Sequence, residues 1–303
     1  GLRVLGVGNC IIDTVLTMDR VPVDDKVWIK SKVQYVGGQA SNAAVGMARL
    51  GVDVSFVTRL GDDKDGAWAL ERYRSEGMDT SHCIVVPGAQ TMSACVTVGV
   101  SDMSRSCFMH KDAALFSHNA TRRLSDIDLE AYDLVYTDGY QPDLALPLAR
   151  AAVRMGVPIV ADIEELGEET REIFELASDV VAPAKTLQSM SGRPSLAAAV
   201  LHLVCASGAR AGPARPKTVV GTEGARGSLG AQTGDAAPVR MPATPGCRAF
   251  DTLGAGDAFH AGYVAALSRA DQDSLPSRIA FAARVAAAQC ETPGPVVSVE
   301  ALQ

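Results

Sequence analysis

The sequence predicts an α/β fold in which a mostly parallel central sheet is covered by helices on both faces. From about residue 51 onward, short apolar runs alternate with longer segments of helical periodicity. This order indicates a parallel sheet, because parallel strands need a long crossover connection between them. Two further segments, 14–36 and 90–111, carry β-type runs without an intervening helix. They predict a small, separate antiparallel sheet.

The individual elements follow from the apolar pattern in chain order. We expect strands at 54–56, 133–137, 157–161, 179–182 and 217–221, and helices at 65–76, 143–155, 166–177, 196–206 and 281–290. The first two of these helices are followed by Gly77 and Gly156, which suit a helix C-terminus. Within the two helix-free segments, β-type runs occupy 27–29, 32–36 and 94–98.

A glycine-rich turn leads into a helix late in the chain. Residues 251–259 read Asp-Thr-Leu-Gly-Ala-Gly-Asp-Ala-Phe, and apolar residues then recur at helical spacing, so we expect a helix from Gly254 onward. The first N–H groups of a helix lack intrahelical partners and favour an anion. Asp257 stands at this anion site. It either takes a proton from a group that attacks a phosphate or complements the helix dipole.

A pair of glycines precedes another helix some two hundred residues earlier. Gly37 and Gly38 are followed by Ser41 and Asn42, and apolar residues at 43, 47 and 50 fall on one helical face. Gly51 follows where a C-terminal cap is expected. Paired glycines and an asparagine at the start of a helix suit a small polyol ligand.

Together the two motifs resemble the signatures of the PfkB-type, or ribokinase-like, carbohydrate kinases. Residues 37–51 match the N-terminal signature, which has two glycines, Asn-Ala-Ala and a final Leu-Gly, and residues 251–257 match Asp-Thr-x-Gly-Ala-Gly-Asp in full. Weaker matches lie at 8–13, 59–66, 222–227 and 293–294. The resemblance implies one ribokinase-like domain over 1–303 with a three-layer α/β/α core. It identifies about 14–36 and 90–111 as a lid that closes over the sugar.

The resemblance also implies a role for each motif residue. Asp257 is expected to act as the general base, and the N–H groups of Gly254, Ala255 and Gly256 to stabilise the transferred phosphoryl group. The residues expected to hold the substrate are Asp13, Gly37, Gly38, Asn42 and, from the lid, Arg105. Two alternatives stay open: Asp13 as a solvated turn residue after the first strand, and Arg105 as an ordinary surface arginine.

ATP and Mg²⁺ are the cofactors that the resemblance implies. Thr222, Gly224 and Gly227 match the family segment near the nucleotide phosphates and ribose. The Asn-x-x-Glu that often organises Mg²⁺ is missing after residues 179–183, and ketohexokinase-like members vary at the same place. Mg²⁺ would then rest on ATP phosphates and waters. The carboxylates that could assist are those of Asp162, Glu164 and Glu165.

Many members of the family bind a monovalent cation beside the anion site. Here Asp251, Thr292, Gly294 and Ser298 have the matching spacing, so the resemblance implies a K⁺ site at these four residues. In many members the lid also pairs with a second subunit, and a homodimer through the lid is the corresponding expectation for this chain.

Composition excludes several other classes of protein. The chain of 303 residues has a net charge of −7 without runs of Lys or Arg, which argues against nucleic acid as a partner. No apolar run approaches the ~18 residues that span a membrane, and no leader opens the chain, so we expect a cytoplasmic protein. The seven cysteines and five histidines show no metal-binding spacing. Neither a Walker A motif nor G-x-S-x-G occurs.

We therefore expect an ATP-dependent kinase that phosphorylates a primary or anomeric hydroxyl of a small sugar or sugar acid, closest to the ketohexokinase-like and fructokinase-like members. Two alternatives remain. The acceptor could be a nucleoside such as adenosine, which the aromatic content of 5% disfavours because few rings are available to stack on a base. The missing Asn-x-x-Glu suggests a catalytically silent binding protein, against which the intact Asp257 argues.

Overall fold

The computed structural model describes residues 1–117, 121–208, 217–248 and 252–298. The strands are β1 (Arg3–Val7), β2 (Ile11–Met18), β3 (Ser31–Gly37), β4 (Asp53–Val57), β5 (Arg59–Gly61), β6 (Ile84–Val86), β7 (Ser93–Gly99), β8 (Arg105–His110), β9 (Leu134–Thr137), β10 (Ile159–Asp162), β11 (Asp179–Pro183), β12 (Thr218–Thr222), β13 (Ser228–Gln232) and β14 (Val239–Met241). The helices are α1 (Gln39–Arg49), α2 (Lys64–Ser75), α3 (Ala113–Ser117), α4 (Thr121–Leu124), α5 (Pro142–Met155), α6 (Glu168–Leu176), α7 (Ala184–Ser191), α8 (Leu196–Gly208), α9 (Ala255–Ala266) and α10 (Leu275–Cys290).

The central sheet has eight strands in the order β14-β13-β12-β11-β10-β9-β1-β4. All neighbours from β12 to β4 pair in parallel, and only the edge strands β13 and β14 are antiparallel. The chain leaves β1 for β4 on one side and later continues from β9 on the other. This reversal opens a crevice at the carboxyl ends of β1 and β9, where open α/β sheets bind ligands.

Helices cover both faces of this sheet. One apolar core packs α5, α6, α7 and α8 against one face, and a second packs α1, α2, α9 and α10 against the other. Successive strand residues alternate between the two cores, as Val135 and Tyr136 do in β9. The predicted three-layer α/β/α arrangement is confirmed. No helix in the described ranges is long and apolar enough to cross a membrane.

A second sheet of four strands, in the order β3-β2-β7-β8, forms the lid sheet. Two antiparallel pairs, β2 with β3 and β7 with β8, are joined by a parallel pairing of β2 with β7. The predicted strand at 27–29 is wrong. These residues lie in an irregular segment before β3, and the Trp28 side chain is 96% exposed. An exposed run has no apolar partner surface, so its β-type residues do not produce a strand.

The two signature helices pack directly on each other. A Cβ atom on Gly46 of α1 would lie 2.8 Å from the Cβ of Ala261 in α9, closer than two carbons can approach. The absence of a side chain at Gly46 therefore lets the helix axes come close together. This packing fixes the N-terminus of α1 relative to that of α9, and both termini point toward the crevice.

Candidate active site

The two sequence motifs meet in one hydrogen bond. Asn42 Nδ2 donates to Asp257 Oδ2 over 2.8 Å, although the two residues are 215 positions apart. Asn42 lies in the first turn of α1, which begins after Gly38, and Asp257 lies in the first turn of α9, which begins after Gly254. The site therefore brings two helix N-termini together, and their N–H groups favour a negatively charged ligand.

The start of α9 depends on the left-handed conformation of Gly254. Its φ is 74°, and a Cβ atom there would overlap the carbonyl oxygen of Pro295. Only glycine adopts this conformation without strain and leaves room for the neighbouring loop. At Gly256 the situation is different, since a Cβ atom would meet no heavy atom within 4 Å. The helix N-terminus is thus packed on one side and open on the other.

Burial raises the pKa of Asp257 well above its usual range. The Asn42 amide lowers it, the Asp162 carboxylate raises it, and His260 and Glu164 have smaller opposing effects. A carboxylate whose pKa moves upward holds a proton more readily, which is what a general base near neutral pH requires. Asp257 is therefore chemically suited to accept a proton from a ligand in the crevice.

Below Asp257, a buried histidine fastens α9 to the sheet. His260 Nδ1 lies 2.8 Å from the carbonyl oxygen of Gly256, and Nε2 lies 3.1 Å from that of Val181 in β11. Both ring nitrogens therefore face backbone carbonyl oxygens, one in α9 and one in β11. Asp162 Oδ1 lies 3.4 Å from Nε2, and burial raises the pKa of this carboxyl group well above its usual range. The sequence motifs gave no sign of this pair, because His260 and Asp162 lie on separate elements.

The sugar-binding residues expected from the sequence surround the carboxyl end of β1. Asp13 follows in β2, and a Cβ atom on Gly37 would overlap Asp13 Oδ2, so the carboxylate lies directly over the glycine backbone. Burial raises the pKa of Asp13 to about 6, while Arg105 lowers it. Asn42 is buried, and its Oδ1 accepts no hydrogen bond from the described residues. Asp13, Gly37, Gly38 and Asn42 thus converge on one side of Asp257.

Asp138 is a structural carboxylate that the sequence analysis did not single out. Its Oδ2 accepts hydrogen bonds of 3.0 Å from the N–H groups of Asn9 and Ala40, and its Oδ1 accepts one of 3.0 Å from Tyr140. These bonds join the ends of β1 and β9 to the start of α1. Burial raises the pKa of Asp138 to about 7. The Thr-Asp-Gly that ends an apolar strand was the available signal for this residue.

Arg105 and Asp13 lie in different rows of the lid sheet, but the Arg105 charge still lowers the pKa of Asp13. Asp13 is in register with Ala94, whereas Arg105 pairs with Val98, four positions farther along β7. At a rise of about 3.3 Å per residue, this separates the two rows by roughly 13 Å. The Arg105 side chain is exposed. Its predicted contact with the substrate remains a prediction.

The expected nucleotide-binding residues lie at the carboxyl end of β12. Thr222 ends this strand, and residues 224–226 form one turn of 3₁₀ helix that Gly227 closes with its N–H bond of 2.9 Å to Gly224. The Glu223 carboxylate in this turn is held by Arg240 at 2.9 Å. The turn is on the same edge of the sheet as α9, one strand beyond β11, which His260 contacts.

The expected metal sites have no preformed counterpart in the described residues. No group of three or more His, Cys, Asp or Glu side chains is arranged to hold a metal ion in these ranges. Of the carboxylates that could assist Mg²⁺, Asp162 is buried against His260, whereas Glu164 and Glu165 are exposed. Mg²⁺ needs few protein ligands when ATP supplies phosphate oxygens, so these two exposed carboxylates fit an ion that arrives with the nucleotide.

The proposed K⁺ ligands do not form an open oxygen cage. Asp251 lies outside the described residues. The Thr292 hydroxyl donates 3.1 Å to the carbonyl oxygen of Gln289 at the end of α10. The Gly294 carbonyl accepts a hydrogen bond from the Gln289 side-chain amide. Two of the four residues are therefore engaged with α10, and they do not fit a bound cation as they stand.

Comparison with known proteins identifies the family. The family model described as pfkB family carbohydrate kinase matches residues 2–302. The chain belongs to the pfkB family of carbohydrate kinases. This confirms the family expected from the two signatures, and with it a phosphotransferase that acts on sugars.

Three relatives illustrate the range of this pfkB family. An ATP-dependent ribose-1-phosphate kinase of Halopiger xanaduensis is 29% identical over 269 residues, which are 87% of this chain and 84% of that protein. A 5-dehydro-2-deoxygluconokinase of Geobacillus thermodenitrificans is 29% identical over 133 residues, which are 44% of this chain and 36% of that protein. The Arabidopsis thaliana ribokinase complexed with ribose and ATP has a TM-score of 0.82 at 21% identity, with coverage of 99% of this chain and 97% of that one. This last likeness concerns the fold.

Proposed function

We propose that this pfkB-family kinase transfers the γ-phosphoryl group of ATP to a hydroxyl of a small sugar or sugar acid, with Asp257 as the general base. The hydrogen bond between Asn42 and Asp257 carries the proposal. It makes the sugar-binding motif and the phosphoryl-transfer motif parts of one site. The names of the two sequence relatives, a ribose-1-phosphate kinase and a 5-dehydro-2-deoxygluconokinase, support a sugar or sugar acid as the acceptor.

Asn42 prepares Asp257 for proton transfer. Its amide occupies Oδ2 of Asp257, so that Oδ1 is left to face the acceptor hydroxyl. As the hydroxyl attacks the γ-phosphorus, its proton moves to Asp257 and the bond from phosphorus to the ADP oxygen breaks. The N–H groups of Gly254, Ala255 and Gly256 stabilise the charge on the phosphoryl oxygens. The His260 ring keeps this helix terminus in place through its contact with the Gly256 carbonyl oxygen.

Asp13 is proposed to hold the sugar hydroxyl groups that do not react. Its carboxylate can accept hydrogen bonds from two neighbouring hydroxyl groups, while the bare backbone of Gly37 and Gly38 lets the ring approach. The unpaired Oδ1 of Asn42 is a further acceptor in the same place. A closed lid sheet would exclude water, which otherwise competes with the sugar hydroxyl for the phosphoryl group.

ATP is proposed to lie over the carboxyl ends of β11 and β12. In that position its adenosine end is near Thr222, Gly224 and Gly227, and its γ-phosphate is near α9. Mg²⁺ would be bound mainly by the phosphates of ATP and by water, and Glu164 or Glu165 would be the carboxylates that assist it. We further propose a cytoplasmic enzyme that forms a homodimer through the lid sheet.

A phosphotransfer screen with ATP and Mg²⁺ tests the function. The acceptors are ribose, ribose 1-phosphate, fructose, sugar acids and nucleosides, and ADP formation is measured. We expect one sugar or sugar acid to give turnover far above the ATPase rate without acceptor. Turnover only with nucleosides would establish the alternative acceptor, and binding of sugar and ATP without any turnover would establish a silent binding protein.

A cycle that combines one change in the protein with one change in the sugar then tests the sugar site. Asp13→Ala should lower kcat/KM for the best sugar by about two orders of magnitude or more, because each unmet hydrogen bond costs roughly 1–3 kcal/mol. Removing the hydroxyl that Asp13 holds from the sugar should give a similar loss. The two losses should not add. Fully additive losses would move the sugar site away from Asp13.

A further inference from the structure

A loop from Thr292 to Ser298 packs against the N-terminus of α9. The Pro295 carbonyl lies against Gly254, where it leaves no room for a side chain. Arg49 of α1 donates 2.8 Å to the Val297 carbonyl and so holds the end of this loop. The loop thus supports the helix terminus proposed to bind phosphate. A side chain that joins the loop to the turn before α9 therefore affects the position of that terminus.

Gln289 joins them through its side chain. This residue lies in the last turn of α10 and has no exposed surface. Its Nε2 donates 3.2 Å to the carbonyl oxygen of Leu253, in the turn before α9, and also donates to the carbonyl oxygen of Gly294 in the loop. An amide nitrogen carries two protons, so one side chain can serve both acceptors.

The Gln289 amide does what a bound cation would do: it places positive charge between two carbonyl oxygens. Two carbonyl oxygens that face a common point repel each other unless positive charge lies between them, and either a metal ion or N–H protons can supply it. Here the amide protons of Gln289 occupy the point between Leu253 and Gly294. The amide oxygen of Gln289 accepts no hydrogen bond from any described residue. The side chain is therefore oriented by its donors.

We propose that the Gln289 amide takes the place of the monovalent cation that the sequence resemblance implied. The two loops are then held together without K⁺, and the phosphate-binding terminus of α9 is independent of monovalent cations. The nucleotide part of this inference rests on the proposed kinase function, whereas the part that concerns the fold does not.

The test compares KCl with tetramethylammonium chloride at equal ionic strength. For the wild type, we expect the Kd of a non-hydrolysable ATP analogue, measured by calorimetry, to agree within about twofold between the two salts. Its Tm should also be the same in both. Gln289→Ala removes both donors and opens a gap, so in tetramethylammonium its Kd should rise about tenfold, equivalent to one lost hydrogen bond. KCl should restore much of that loss and raise the Tm.

Two further variants distinguish the effect of the Gln289 hydrogen bonds from the effect of its packing volume. Gln289→Met keeps the volume without the donors, so it should bind the nucleotide weakly in both salts, since the methionine side chain fills the gap that a cation would need. Gln272→Ala removes another buried glutamine, one that bonds Asp271 rather than the loops, and should behave as the wild type does.

Three results would overturn the proposal. One is a wild type whose nucleotide affinity or Tm drops on removal of K⁺. Another is a Gln289→Ala variant that matches the wild type in both salts, and the third is a Gln289→Ala variant that KCl does not rescue. Absence of nucleotide binding in either salt would instead contradict the kinase function. The Tm comparison would then still decide the role of Gln289.

Discussion

Asp257 has an acceptor position on each of its two oxygens, and only one is engaged by Asn42. Replacing it with asparagine keeps the shape and removes the ability to take a proton. We expect Asp257→Asn to lower kcat by about 10²–10⁴ while the Kd of ATP changes little, because the loss falls on proton transfer. Stopped-flow or steady-state turnover with the best sugar, together with calorimetry of ATP binding, measures the two quantities. Near-normal turnover would remove Asp257 from the mechanism.

We expect Asp13 to make the activity of the proposed site depend on pH. Its pKa of about 6 in the folded protein means that the carboxyl gains a proton as the pH falls below that value. A protonated Asp13 loses acceptor capacity, so kcat/KM should decline on the acid side of about pH 6. In Asp13→Asn, kcat/KM should be low, and this decline should be absent. A profile with the same acid limb in both proteins would assign the titration to another group.

The same shift affects stability. Burial raises the Asp13 pKa above its ordinary value of 3.8, so the folded state holds the proton more tightly than the unfolded state does. Its stabilising contribution is therefore complete below about pH 4 and is lost as the pH rises through about 6. The free energy of unfolding of Asp13→Asn, measured in urea, should lack this part of the pH dependence.

Among individual residues, the sequence identified those that belong to a local motif. Gly37, Asn42 and Asp257 are of this kind, and the structure brings them together. Asp138, His260 and Gln289 could not be predicted, because their partners are backbone groups on distant elements. A single sequence shows that a polar residue is present, but the acceptor that faces it is known only once the sheet and helices are in place.

The turn before α9 allows a direct test of how a secondary-structure element is stabilised. Gly254→Ala forces a side chain into left-handed backbone and into the Pro295 carbonyl, so we expect it to lower the free energy of unfolding by about 1–3 kcal/mol. Gly256→Ala is the matched control, since its Cβ meets nothing within 4 Å and alanine favours a helix by about 0.5–1 kcal/mol. Urea denaturation compares them. Equal stabilities would show that Gly254 is not required by this packing.

The parallel strands β4 and β9 to β12 could be predicted, because each contains an apolar run, whereas the edge strands β13 and β14 were not predicted, because they lack such a run. The lid sheet was harder. The run at 27–29 contains β-type residues but contacts no other strand, and the parallel pairing of β2 with β7 depends on a partner some eighty positions away in the chain. Local pattern determines which residues can form a strand, whereas tertiary packing determines which of them pair.

For the whole molecule, the lid sheet exposes apolar side chains that an isolated chain would not be expected to leave in water. Phe108 is 61% exposed and Met109 64% exposed, both on the edge strand β8. If the chain dimerises through this sheet, the double variant Phe108→Ser and Met109→Ser should sediment as a monomer at concentrations where the wild type is a dimer. Met155→Ser, at an exposed methionine on α5, is the control. A monomeric wild type would contradict the dimer.

The close contact of Gly46 with Ala261 also bears on how the chain is made. The apolar face of α1 is synthesised early, but α9, the helix that packs on it, lies some two hundred residues later in the chain. Such contacts between distant parts of a chain form slowly. We therefore expect the face of α1 that packs on α9 to stay uncovered until α9 has been synthesised. The step that unites Asn42 with Asp257 is therefore also the step that buries this apolar surface, so the proposed active site and protection from aggregation are expected to arise together.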